Sequence, residues 1–168
     1  MSEKTKKFTA GFTIAEVLIA LAVVSILLAA VAVAFNASAI NYRENSDIFK
    51  AVNSARQALF RMTTQLRTAD AVNPDSLSNE CSLITAGGDG ITYRYNSSAK
   101  RLYLVTNDIT TDSDYVLCDN VTAMTFTKDI VTEGSQTKVR SVQISITVAA
   151  GDIRQTLSAA AVIRRNLN

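Results

Sequence analysis

Hydrophobic and polar positions divide this chain into three stretches with different periods. From Phe12 to Phe35 it reads FTIAEVLIALAVVSILLAAVAVAF, where Glu16 is the only ionisable residue and Thr13 and Ser25 the only other polar ones. Twenty-four residues at about 1.5 Å rise make roughly 36 Å of helix, enough to cross a hydrocarbon core of about 30 Å with some tilt. Past Asn36, the apolar positions Ile48, Val52, Ala55, Leu59, Met62, Leu66 and Ala69 recur at spacings of 4 and 3. That is the stripe of an amphipathic helix, and Arg43, Lys50, Arg56, Arg61 and Arg67 lie off it. No Pro or Gly falls between Phe12 and Asn73. One helix of about 60 residues is therefore expected, stopping near Asn73-Pro74-Asp75.

From Cys81 onward the period becomes two. Cys81–Thr85 precedes the turn-rich Gly87-Gly88-Asp89-Gly90, and Ile91–Tyr95 and Leu102–Val105 flank a hairpin turn at Asn96–Arg101. Tyr115–Cys118 and Val121–Thr127 follow. Val142, Ile144, Ile146 and Val148 alternate with Gln143, Ser145 and Thr147, and a last strand is expected near Thr156–Ile163. The pattern predicts an antiparallel meander with one buried face. Three heptads are short for a coiled-coil seam, so the helical stripe is expected to cover this sheet. The fold class is α+β: a long N-terminal helix, with a membrane half and an amphipathic half, packed on a small antiparallel β-sheet.

Charge sharpens the picture at the N-terminus. The net charge is +2, and Lys4, Lys6 and Lys7 against Glu3 account for all of it. A neutral remainder argues against a nucleic-acid grip, which needs a basic stripe. The lysines precede the apolar run, and Arg43 is the first basic residue after it. The positive-inside rule then places the N-terminus in the cytoplasm and residues 41–168 outside. A cleaved signal peptide is one reading, since Ala37-Ser38-Ala39 is a small-residue site. An ordinary single-pass anchor is another. The run exceeds a normal signal core of about 7–15 residues, and neither reading gives Glu16 a reason. A carboxylate in hydrocarbon costs on the order of 2.5–3.5 kcal/mol or more. With no second membrane helix in this chain, its partner is expected from another molecule.

The segment Lys6-Lys7-Phe8-Thr9-Ala10-Gly11-Phe12-Thr13-Ile14-Ala15-Glu16 resembles the class III leader and N-terminal segment of type IV pilins and pseudopilins. The family pattern is a short basic leader ending in Gly, then an aromatic residue, Thr, and a Glu as fifth residue of the mature chain. The resemblance implies that a prepilin peptidase cuts between Gly11 and Phe12 and methylates the new Phe12 amine. It also implies that Glu16 pairs with the terminal amine of a neighbouring subunit and sets register. The chain then divides into a leader, 1–11, a filament-core helix, 12–35, its amphipathic continuation, 36–72, and a globular head, 73–168. Expected partners are other pilin or pseudopilin subunits, the prepilin peptidase and an inner-membrane assembly platform, with the head outside the cytoplasm.

Ile91–Leu104 and the ending Val162-Ile163-Arg164-Arg165-Asn166 loosely resemble J-type minor pseudopilins and PilW-type minor pilins. The helix lacks the proline that kinks major pilins in their membrane half. A minor subunit is therefore expected; a major pilin and a membrane-anchored adhesin are the alternatives.

The remaining chemistry is sparse. There is no histidine, which removes the commonest general base and metal ligand. Cys81 and Cys118 are too few for a structural zinc site. Both follow the apolar run, and on an oxidising side a disulfide is expected, with two buried free thiols as the alternative. Asp108, Asp112 and Asp114 carry oxygen ligands suited to calcium but read as a solvated loop. Gly87–Gly90 lacks the helix and Lys of a phosphate loop. Asn36, Asn96 and Asn120 each open a glycosylation triplet, a pattern common by chance. No nucleophile has an evident base, so neither an enzyme nor a cofactor is expected.

Overall fold

The computed structural model describes residues 11–107, 114–133 and 136–164. Lys4, Lys6 and Lys7, Asp108 and Asp112, and Arg165 and Asn166 lie outside the described residues. The chain forms two compact units, one up to Arg43 and one from Glu44 onward. Helix α1 spans Ile14–Thr68, 55 residues, close to the expected helix. It ends at Thr68, before the turn containing Pro74, the only proline.

In the first unit every apolar side chain of the 12–35 segment is exposed, Phe12, Ile14 and Phe35 among them. The stretch is long and apolar enough to cross a membrane once. Ser25 satisfies its hydroxyl on the Ala22 carbonyl at 2.8 Å, so it presents no free donor to lipid.

In the second unit, α1 buries Ala51, Ala55, Ala58, Leu59, Met62 and Leu66. The stripe runs where the periodicity puts it, with Ile48 and Val52 half-buried at its margin. Ala51 and Ala58 join it, because small side chains let the helix backbone approach the sheet.

The strands are β1, Ala71–Val72; β2, Glu80–Ile84; β3, Gly90–Asn96; β4, Arg101–Thr106; β5, Tyr115–Cys118; β6, Val121–Glu133; β7, Gln136–Ala150; and β8, Ile153–Val162. All pairings are antiparallel. They form two sheets rather than the single meander expected: β1-β2-β3-β4-β5 and β6-β7-β8.

The break falls at Asp119-Asn120. Asn120 adopts the left-handed conformation, φ 59°, which asparagine tolerates and most residues do not. Arg101 pins Asp119 at 2.7 Å, and the Val121 amide donates to the Lys100 carbonyl at 2.9 Å. The chain thus leaves the first sheet and starts a second. The 76–78 segment joins them: the Phe126 amide donates to the Ser78 carbonyl at 2.7 Å, and Lys128 Nζ donates to the Ser76 carbonyl.

On β7, Val142, Ile144, Ile146 and Val148 are fully buried, as the alternation requires. Val139 breaks the parity and is buried too. The register jumps from Asp129↔Ser141 to Ile130↔Val139, so Arg140 is the extra residue of a bulge and the buried face changes from even to odd numbers. The β7–β8 turn is the two-residue Gly151-Asp152, with Gly151 at φ 57°. Glycine at that first central position is what a type II′ hairpin needs.

The cysteines require a correction. Cys81 and Cys118 are buried, free thiols, not a disulfide. Cys81 sits on β2 and Cys118 on β5, with β3 and β4 between them. Three strand spacings of about 4.8 Å separate the two by roughly 14 Å, whereas a disulfide holds its Cα atoms about 4.4–6.8 Å apart. Their surroundings differ as well: Cys81 lies near Lys128, and Cys118 near Ser54 of α1.

Burial pushes each thiol up to about 11, against the smaller opposing pull of Lys128 on Cys81 and of Ser54 on Cys118. Both are therefore weak nucleophiles at neutral pH. Without reductant, iodoacetamide is expected to leave both unmodified in the folded chain and to label both once urea unfolds it. A mass two protons below the fully reduced chain would restore the disulfide.

Candidate functional site

The chemistry at the N-terminus is built by the first turn of α1. Thr13 precedes the first helical residue, Ile14, and occupies the N-cap. Its hydroxyl accepts the Glu16 amide N–H at 3.3 Å. The Glu16 carboxylate reaches back and accepts both the Thr13 amide N–H and the Thr13 hydroxyl, each at 3.1 Å. This is a capping box: residue and helix terminus satisfy each other's orphan groups, and the carboxylate sits at the positive end of the helix dipole. Thr13-Ile14-Ala15-Glu16 carries that signature in the sequence. Reading Glu16 only as a group awaiting an intermolecular partner missed it.

Glu16 therefore has a partner within its own chain. The cap gives its carboxylate a defined place beside Phe12, four residues before it in sequence and 86% exposed. Phe12, Val17, Ala20, Leu21 and Val24 line the same side of the helix as Glu16. One carboxylate is thus set in an otherwise apolar, solvent-facing surface at the start of a helix.

Gly11 has open space where a Cβ would project. Packing does not demand glycine there, so a need for it would come from a step other than packing.

In the head, Tyr93 is fully buried and Tyr95 nearly so. The Tyr93 hydroxyl donates to Gln65 Oε1 of α1, and the Tyr95 hydroxyl to the Val121 carbonyl at 3.2 Å. Burial, partly offset by nearby Arg61, pushes the Tyr93 phenol up to about 12. Tyr93 and Tyr95 thus anchor the sheet from within the core, while Tyr103 is half-buried. Asp114, the described member of the acidic loop, is held by Arg94 at 2.6 Å. Among the described residues, no three metal-ligating side chains converge.

Residues 6–32 match the family model for the prokaryotic N-terminal methylation motif. The match covers Gly11, Phe12 and Glu16 and includes residues 6–10, which lie outside the described residues. Neither a curated protein nor a solved structure gives a significant match to the chain. The motif and the single exposed apolar helix support a type IV pilin-like or pseudopilin-like structural subunit, membrane-anchored by one pass. A leader of this type implies processing by a prepilin peptidase and assembly with other pilin subunits.

Proposed function

We propose that this chain is the precursor of a minor pilin or minor pseudopilin, held in the inner membrane until a type IV pilus, type II secretion or DNA-uptake machine assembles it into a filament. The prepilin peptidase cuts between Gly11 and Phe12 and methylates the Phe12 amine. Residues 12–35 then form the filament-core helix, 36–72 its amphipathic continuation, and 73–168 the head.

The observation that carries this reading is the capped Glu16, the one charge on an exposed apolar helix, inside the segment that matches the methylation motif. An amine and a carboxylate, each costly alone in hydrocarbon, neutralise one another when subunits stack in register. Two features favour a minor, structural subunit. Helix α1 carries no proline, and Tyr93 and Tyr95 serve the core rather than an adhesive surface.

Mass spectrometry of the protein from its host's membranes tests the reading, with N-methyl-Phe12 as the expected terminus. An N-terminus at Ile40 or an unprocessed Met1 would overturn it. A Gly11→Val chain is expected to accumulate uncleaved, with a head as stable as wild type because nothing packs at that position.

A further inference from the structure

A groove of about 640 Å³ lies in the head between α1 and strands β3, β4 and β5 of the first sheet. Ile91 and Leu104, both buried, form its floor, and Val116, 45% exposed, forms part of its wall. Concave apolar surfaces of this size with a few placed polar groups are the usual form of a ligand site.

The polar groups here are arranged unequally. Arg61 and Gln65 stand one helical turn apart on α1, so their side chains share one side of the groove. The Tyr93 hydroxyl occupies the Gln65 amide oxygen, which leaves the amide NH₂ to the groove. Arg61 lies beside the same hydroxyl. A guanidinium and an amide NH₂ thus stand next to each other as donors, a pair matched to a carboxylate. Asp89, in the β2–β3 turn, is the one carboxylate lining the groove among the described residues. Neither Arg61 nor Asp89 has an ion-pair partner among the described residues.

We propose that this groove binds the carboxyl terminus of a polypeptide ending in an aliphatic residue. The terminal carboxylate sits on Arg61 and Gln65, the aliphatic side chain lies on Ile91, Leu104 and Val116, and Asp89 accepts a peptide N–H. A fatty acid fits the donors and the floor but offers nothing to Asp89, which is exposed at the groove's edge as a free acceptor. A peptide supplies the N–H that a fatty acid lacks.

The test uses the full chain in detergent micelles and fluorescence anisotropy of an N-fluoresceinyl peptide ending in Ala-Leu, as the free acid and as the carboxamide. The free acid is expected to bind at least about tenfold more tightly than the amide, the usual value of a charge-assisted contact. Arg61→Gln is expected to abolish that difference. Its side chain is exposed, and circular dichroism checks that the variant folds. Val116→Asp, on the groove wall, is expected to weaken the acid by a similar factor through like-charge repulsion. No binding at millimolar peptide, equal binding of acid and amide, or an unchanged preference in Arg61→Gln would overturn the proposal. Displacement of the peptide by hexanoate at equal or lower concentration would instead make the groove a site for small apolar acids.

Discussion

Glu16→Gln is expected to insert in the membrane normally, keep its helix cap, and be about 60-fold or more depleted from sheared filaments. Glutamine serves a capping box as well as glutamate does, so the bonds from the Thr13 amide and hydroxyl survive the change. The negative charge does not. On the proposed filament packing, a neighbour's Phe12 amine is then left uncompensated in hydrocarbon, a penalty of about 2.5–3.5 kcal/mol or more, and each 1.4 kcal/mol is about tenfold in an equilibrium. Glu16→Ala loses both charge and cap and is expected to be depleted as far, with added fraying of the first turn. Immunoblots of the filament and membrane fractions separate the cases. Wild-type incorporation of Glu16→Gln would show that the cap, not the charge, is what assembly uses.

Met62→Ala is expected to destabilise the head by about 2–5 kcal/mol, the usual cost of emptying a fully buried site of that size. Phe60→Ala, two residues away, is expected to change stability by no more than about 0.5 kcal/mol. Met62 is 0% exposed and Phe60 is 75% exposed, because two residues carry a helix about 200° around its axis. Urea denaturation of the full chain in micelles, followed by tyrosine fluorescence, reads both. A loss in Phe60→Ala equal to that in Met62→Ala would mean that the helix presents a different face to the sheet.

How much was legible beforehand depends on how local each feature is. The apolar stripe of α1 and the alternation on β7 could be read residue by residue, since side chains three, four or two positions apart share a face whatever else the chain does. The Thr13–Glu16 cap is equally local and stood in the sequence as a Thr-x-x-Glu motif. It was obscured because the family resemblance supplied another reason for the same glutamate. The hairpin between β3 and β4 and the turn at Gly151-Asp152 followed from short-range turn chemistry.

The features that were not legible join residues distant along the chain. Period two places Cys81 and Cys118 on strands, but only strand order sets two strands between them, and only that order forbids the disulfide. The split into two sheets hangs on one left-handed residue, Asn120, and on the Arg101–Asp119 pair. A count of alternating positions cannot register either. The contact between Tyr93 and Gln65 spans 28 residues, and the groove beside it exists only because α1 crosses that sheet. Sequence alone thus determined the apolar helix, its single charge, the amphipathic stripe and the strands, because each rests on local periodicity or on a contiguous motif. Tertiary structure alone decided the sheet order, the free thiols and the Arg61–Gln65 groove, because pairing between distant segments is chosen by the packing of the whole core.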